Sequence, residues 1–226
     1  MIRVLLCAEG VTDQGREEYH DGAYIQNNGV FQVFIRKLTR SERLDFAVKS
    51  RSDIKRFALI PSPSRYTPKE QIKAKKIAAI ATHENCSHIA YHRDEDNNGF
   101  EEMYAQVSSY FSVAKDIGYK CLAIIPMHMT ESWLLCDAEA FPRLPDNPEL
   151  PRRPEETWGA KNSDKHPKKY LERVLKQYHL QPSVETYCEI AEKSRAEVVK
   201  AKCPTSFGRF CNDMESFISI CDERFT

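Results

Sequence analysis

The sequence predicts an α/β protein in which a parallel β-sheet is flanked by helices. Short apolar segments alternate along the chain with segments of helical periodicity, as in proteins built from β-α-β units. Of the 226 residues, 41% are hydrophobic and 29% are charged, which is typical of a globular protein with a buried core. The composition changes after about residue 140, where prolines recur. We therefore predict an α/β domain over residues 1–140, and a proline-rich linker with a helical subdomain over 141–226.

Four apolar runs have the length of strands. They are Ile2–Ala8, Leu44–Lys49, His88–Tyr91 and Lys120–Pro126. Three of them are nearly continuously apolar rather than alternating, which indicates strands that are buried on both faces. A parallel sheet covered by helices on both sides is the expected consequence.

Six segments carry apolar side chains at helical spacing. They are Val30–Leu38, Lys69–Thr82, Phe100–Ile117, Lys168–His179, Val184–Ala201 and Phe207–Ile220. Gly118 closes the third of them, and turn residues such as Asp21-Gly22 fill the stretch before the first. The three later helices make up the predicted C-terminal helical subdomain.

Composition also excludes several classes of protein. No run of about 18 apolar residues could span a membrane, and the N-terminus lacks the apolar segment of a signal peptide, so we expect a cytoplasmic protein without a membrane partner. Eight Cys occur without any C-x-x-C pair, which favours reduced, mostly buried thiols. The sequence does not indicate an oligomeric state.

Acidic residues follow three of the predicted strands, at the edge where open α/β sheets place their sites. In chain order they are Glu9 with Asp13, Asp94 with Asp96, and Glu131. Each motif alone could be an exposed turn, a solvated helix face or a set of helix N-terminal acids. A calcium loop starting at Asp94 is disfavoured because Ala105 stands where the bidentate Glu belongs. Three such motifs at successive strand ends instead favour one shared site.

Clustered carboxylates repel one another unless a cation lies among them. Oxygen ligands without Cys favour Mg²⁺ or Mn²⁺ over zinc, and such ions commonly act on phosphate groups. The acidic motifs therefore predict a site for Mg²⁺ or Mn²⁺ that acts on phosphodiester bonds.

The strand followed by Glu-Gly, and the later strand followed by Asp-x-Asp, resemble the TOPRIM domain of topoisomerases, primases and OLD-family nucleases. The segments E-x-W-L-L-x-D and H-P-K-K-Y-L resemble a TOPRIM-related bacterial family of unknown function, often encoded beside AAA or SMC-like ATPases in defence regions. The resemblance implies a Rossmann-like, TOPRIM-like catalytic domain. It gives metal-binding roles to Glu9, Asp13, Asp94, Asp96 and Glu131, with Glu9 also a candidate general base.

The resemblance also implies a late catalytic lysine. Lys168 is the candidate, although Lys161, Lys165 and Lys169 lie in the same polar stretch. The Ser that accompanies the last Glu in OLD-type nucleases has no clear counterpart, since Thr130 and Ser132 are both adjacent to Glu131.

Two histidines and two tryptophans could each have a functional or a structural role. His92 and His128 could bind metal or transfer protons, but a structural role is favoured. Trp133 and Trp158 could stack on bases, although a tryptophan in an apolar helix such as Trp133 is more often part of the core.

Charge is segregated along a chain whose formal net charge is zero. Residues 36–76 hold 13 basic and 4 acidic side chains, a local net charge of +9. This segment could track a phosphate backbone, or form the solvated faces of two helices. It supports the prediction of a nucleic-acid partner.

The expected function is that of a Mg²⁺-dependent nuclease acting on DNA or RNA, in bacterial anti-phage defence with an ATPase partner. A catalytically silent or latent subunit of an ATPase complex is the first alternative, because the stripe of Phe207, Phe210 and Phe217 could dock a partner as well as fill a core. A phosphoryl-transfer or nucleotide-hydrolysing enzyme using the same metal site is the second.

Overall fold

The structure is a computed structural model of the 226-residue chain and describes residues 1–20, 23–39, 43–95, 99–141, 148–157 and 166–218. Its centre is a four-stranded, all-parallel sheet with the strand order β4-β1-β5-β6. These strands are β1 (Ile2–Ala8), β4 (Leu44–Ser50), β5 (His88–His92) and β6 (Lys120–Ile124). The α/β class and all four predicted strands are confirmed.

Two further strands, β2 (Gly15–His20) and β3 (Ala23–Asn28), pair antiparallel beside the main sheet. The sequence pattern predicted turns in this stretch, not strands. The Asp21-Gly22 dipeptide between the two strands is a strong hairpin signal and could have revealed them.

Helices connect the strands and cover both faces of the sheet. The N-terminal half contains α1 (Val11–Gln14), α2 (Val30–Thr39), α3 (Arg51–Arg56), α4 (Lys69–His83), α5 (Phe100–Ser109) and α6 (Ser112–Asp116). The C-terminal half contains α7 (Glu131–Leu134), α8 (Pro154–Thr157), α9 (Pro167–Gln177), α10 (Val184–Lys193), α11 (Ala196–Lys202) and α12 (Ser206–Ile218). Among the described helices, none has the length and apolar character that crossing a membrane requires.

Two predicted helices are each divided in the structure. The segment Phe100–Ile117 forms α5 and α6, with a turn that lets the consecutive residues Tyr110 and Phe111 both reach the core. The segment Val184–Ala201 forms α10 and α11, because Arg195 donates its backbone N–H to Asp137 Oδ2 (2.9 Å) rather than to a helical carbonyl. Both interruptions depend on tertiary contacts that periodicity does not encode.

The side chains of β1 alternate between two hydrophobic clusters, one on each face of the sheet. Leu5 and Cys7 pack with α4, α5 and α6, whereas Val4 and Leu6 pack with α2 and the C-terminal helices. This burial on both faces explains the nearly continuous apolar sequence of the strand.

Trp133 joins the C-terminal helices to the sheet. It is fully buried, and its ring lies 4.9 Å from that of Phe207 and 5.3 Å from that of Phe210. Its Nε1–H donates to Ser206 Oγ (2.7 Å), which in turn donates to the buried carboxylate of Glu155. The described C-terminal helices thus share a core with the sheet, while the predicted boundary at residue 140 stays a prediction, since residues 142–147 lie outside the described part.

Candidate functional site

The carboxyl ends of β1, β5 and β6 lie side by side at one edge of the sheet. Glu9 directly follows β1, Asp94 lies two residues beyond β5, and Glu131 begins α7 after β6. Asp13 reaches the same edge from α1, whose tight turn is fixed by the N–H groups of Asp13 and Gln14 donating to the Gly10 carbonyl. The order of the strands therefore gathers acids that are far apart in sequence.

The position of Asp13 favours glycine at position 10. A Cβ at Gly10 would lie 3.3 Å from Asp13 Oδ2, closer than an ordinary van der Waals contact. The Glu-Gly pair after β1 thus places one carboxylate and makes room for another.

His92 lies between two of the predicted ligands. Its Nε2 is 3.1 Å from Asp94 Oδ1 and its Nδ1 is 3.8 Å from Asp13 Oδ2. The ring is fully buried and packs on Phe31 with 4.4 Å between ring centroids. Burial disfavours the imidazolium, but Asp13 and Asp94 outweigh it and raise the pKa of His92 above its ordinary value. The role of His92 is therefore to hold two acids of the site in place.

Thr130 positions Asp13 from the opposite side. Its hydroxyl donates to Asp13 Oδ1 at 2.7 Å. Of the two hydroxyl residues flanking Glu131, Thr130 is thus the one that contacts the site, whereas Ser132 is fully buried and its Oγ has no hydrogen-bond partner within the described residues.

Glu131 is 8% exposed at the start of α7. Burial, followed by the negative charges of Asp13 and Asp94, raises the pKa of its carboxyl to about 7. Burial likewise raises the pKa of Asp94 above its ordinary value, against the hydrogen bond from His92. Burial first, and then the neighbouring negative charges, therefore disfavour full ionisation of these acids.

Lys168 lies on the first turn of α9, which packs against α7. Its side chain is exposed, and its positive charge acts on Glu131 to lower the pKa of that carboxyl. Lys169 is exposed beside it, whereas Lys161 and Lys165 lie outside the described residues. The structure thus places the predicted lysine near one acid of the site.

The predicted ligands do not all contact one another. Glu9 forms an ion pair with Arg51 (3.3 Å). Its negative charge also raises the pKa values of His92 and Asp94. Within the described ranges, no three His, Cys, Asp or Glu side chains are grouped closely enough to hold a metal ion, and Asp96 lies outside those ranges.

The carboxylate oxygens of Asp94 and Glu131, whose carboxyl pKa values are raised, are the type of donor that a hard divalent cation binds. The buried imidazole of His92 is not a donor of this kind, because the two carboxylates beside it favour its protonated form. A cation among these acids would relieve their mutual repulsion.

Two neighbouring residues have structural roles. The buried carboxylate of Glu95 accepts the backbone N–H of Gly99 (2.8 Å) and that of His128 (3.3 Å), and so links the segment after β5 to the segment after β6. His128 adopts a positive φ of 64° and contacts the Glu155 carbonyl through Nε2. Trp133 belongs to the core, and Trp158 lies outside the described residues.

The basic segment 36–76 does not form one surface. Arg36 and Lys37 lie on α2, on one face of the sheet, whereas the lysines of α4 lie on the other face. Lys49 is also neutralised by Glu84 (2.7 Å). The local charge of +9 therefore divides between two sides of the protein.

Comparison with protein families finds a match over residues 90–215, more than half of the chain, to the model described as Domain of unknown function (DUF4276). The chain belongs to the DUF4276 family. The DUF4276 match includes His92, Asp94, Glu131 and Lys168, whereas Glu9 and Asp13 precede it. Comparisons with curated proteins and with solved structures find no match.

Proposed function

We propose that this DUF4276 protein is a Mg²⁺- or Mn²⁺-dependent nuclease with a TOPRIM-like catalytic domain, which hydrolyses phosphodiester bonds of DNA or RNA. The observation that carries the proposal is the contact of His92 with both Asp13 and Asp94 at the carboxyl edge of a parallel sheet. Glu131 and Glu9 lie at the same edge and act electrostatically on this group.

Asp13, Asp94 and Glu131 would hold the metal, with Glu9 and Asp96 as further ligands from the neighbouring strand ends. When bound, Mg²⁺ supplies charge stabilisation at a phosphate oxygen and lowers the pKa of a water molecule. The residues themselves fix the geometry: His92 and Thr130 orient Asp13, and His92 also orients Asp94.

Two side chains can transfer a proton or stabilise negative charge at neutral pH. The Glu131 carboxyl has a pKa of about 7, so it can accept or release a proton under physiological conditions. Lys168, on the exposed turn next to it, would hold a phosphate oxygen of the substrate or stabilise the ionised Glu131.

A cleavage assay with substitutions of the acids tests the proposal. Purified protein with Mg²⁺ or Mn²⁺ should cleave DNA or RNA, and Asp94→Asn and Glu9→Gln should each reduce the rate by about 100-fold or more, since loss of outer-shell groups alone costs 10–100-fold. Glu101→Gln on the exposed face of α5 is the control and should cleave like the wild type. Cleavage at the wild-type rate by Asp94→Asn would remove the proposed mechanism.

An ATPase partner and a role in anti-phage defence belong to the proposal through the resemblance alone. The Phe207, Phe210 and Phe217 stripe that could have docked such a partner is buried in the chain's own core. A protein that stays inert with both metals, yet cleaves after addition of an AAA or SMC-like ATPase, would be the latent form of the same nuclease.

A further inference from the structure

Asp94 and Arg93 lie on opposite faces of the sheet at its carboxyl edge. Consecutive side chains of an extended segment point to opposite faces. His92 and Asp94 lie on the face covered by α2, where His92 packs on Phe31. Arg93 lies on the face covered by α5, where its Nη1 donates to Gln106 (2.7 Å). The segment after β5 thus gives one acid to one side and one cation to the other.

Two more cations lie on the Arg93 side. Arg51 begins α3 directly after β4 and contacts Glu9 at 3.3 Å. Lys73 extends from α4 over two aromatic rings, with its Nζ 4.8 Å from the centroid of Tyr91 and 4.1 Å from that of Tyr110. Arg51, Lys73 and Arg93 are named here the cationic triplet.

The cationic triplet has too few counter-charges. Among the described carboxylates, none forms an ion pair with Lys73 or Arg93, and Glu9 is already paired with Arg51. Burial, and then the positive charges of Arg93 and Arg51, lower the pKa of Lys73 to about 8. Three cations held together against their own repulsion form an attractive position for an anion.

Arg93 also has unused hydrogen-bonding capacity. Its Nε is buried and has no hydrogen-bond partner within the described residues, while Nη1 is occupied by Gln106. A buried N–H without an acceptor is energetically unfavourable. An arginine presents parallel N–H groups that match the oxygens of a phosphate, so a bound phosphate would supply the missing acceptor.

We propose that the cationic triplet binds a phosphate group of a nucleic-acid strand, next to the acidic cluster on the other side of Glu9. The choice of a nucleic acid as the source of the phosphate rests on the proposed nuclease function. In this arrangement one phosphate lies at the acids and another is held by the triplet, which fixes the position of the strand at the edge of the sheet.

Binding measured without metal tests this inference separately from catalysis. The probes are short single-stranded DNA and RNA labelled at the 3′ end, with either a 5′-phosphate or a 5′-hydroxyl, in buffer containing EDTA. Three single substitutions remove one charge each: Arg51→Gln, Lys73→Met and Arg93→Gln. Each should weaken binding about tenfold, and each should lower by about one the number of phosphate contacts calculated from the salt dependence of binding. Lys200→Met is the control, because Lys200 is an exposed lysine of α11, which packs on the opposite face of the sheet.

The two probe ends identify the source of the phosphate. If the 5′-hydroxyl probe binds as weakly as the variants do, and inorganic phosphate competes, the triplet holds a terminal phosphate. If both probes bind the wild type equally and the variants bind both weakly, it holds an internal phosphodiester.

Wild-type affinity in folded Lys73→Met and Arg93→Gln proteins would overturn the inference. If these partly buried substitutions prevent folding, Arg51→Gln decides, since that side chain is 64% exposed. Weakened binding by the triplet variants in a protein that never cleaves would refute the nuclease and keep the phosphate site. If cleavage depends on Asp94 but the triplet substitutions leave the binding affinity unchanged, the phosphate site is refuted and the nuclease proposal stands.

Discussion

Replacing Glu131 by Gln should stabilise the metal-free protein at alkaline pH. The Glu131 side chain is buried, and the pKa of its carboxyl is raised from 4.5 to about 7 by burial and then by the carboxylates of Asp13 and Asp94. Below pH 4.5 the group is protonated in both the folded and the unfolded state. Between pH 4.5 and 7 the unfolded chain releases this proton while the folded protein keeps it, so the free energy of unfolding falls as pH rises.

The size of the effect follows from the two pKa values. Each tenfold change in proton affinity corresponds to about 1.4 kcal/mol, so a pKa raised from 4.5 to about 7 removes about 3 kcal/mol of stability above pH 7. Gln is neutral at every pH and avoids this loss. For a protein of this size the difference corresponds to roughly 6–12 °C in Tm.

Urea and thermal unfolding at pH 4.5 and pH 8 in EDTA measure the prediction. Relative to the wild type, Glu131→Gln should gain about 3 kcal/mol between these pH values, whereas Glu101→Gln, an exposed control, should show no such gain. Addition of Mg²⁺ at pH 8 should stabilise the wild type more than the variant. A Glu131→Gln protein whose stability relative to the wild type is the same at both pH values would refute the reasoning about burial and charge.

Three other substitutions test the packing that supports the site. Trp133→Ala should lower the free energy of unfolding by about 3–5 kcal/mol in a single urea transition, because the ring joins the sheet to α12; two transitions would show separate folding of the C-terminal helices. Gly29→Ala should unfold or displace α1 and lose Mg²⁺-dependent activity, since its Cβ would lie 2.1 Å from Gly15 N and 2.6 Å from the Asp13 carbonyl oxygen. Gly208→Ala is the control: its Cβ would lie 3.9 Å from the Cys203 carbonyl oxygen, so this variant should be neutral or slightly stabilised in thermal unfolding. Glu155→Ala should cost about 2–3 kcal/mol by urea unfolding because three donors from residues 205 and 206 lose their acceptor, and an unchanged midpoint would contradict that role.

Hydrophobic periodicity was sufficient to predict the strands that are buried on both faces and the helices that are buried along one side. The parallel strands were recognisable because they are covered on both faces, and the lysine-rich helix α4 because its apolar residues lie on one side. The interruptions at Tyr110 and Ser194 could not be predicted in the same way. The first depends on two consecutive aromatic residues both reaching the core, and the second on an acceptor, Asp137, that is 58 residues away.

For the candidate site, sequence indicated the acids and the structure supplied their partners. The strand-end positions of Glu9, Asp94 and Glu131 follow from local pattern alone. Sequence does not show that His92 lies between two carboxylates or that the Thr130 hydroxyl donates to Asp13. These contacts join residues from different parts of the chain. From the sequence, a structural role was predicted for His92 and no role for Arg93. The alternation of His92, Arg93 and Asp94 along one extended segment nevertheless indicates that Arg93 faces the other side of the sheet.

The sequence by itself determined that this protein has a parallel sheet with acids at its strand ends, because side-chain periodicity and strand-terminal residues are local properties. Only the tertiary structure decided which face each charge occupies, since the strand order β4-β1-β5-β6 brings Arg51, Glu9 and Arg93 to neighbouring strand ends. It also divided the basic segment between two sides of the sheet. Net charge and its distribution along the chain carry no information about this, because proximity in a folded sheet depends on strand order and not on distance in sequence.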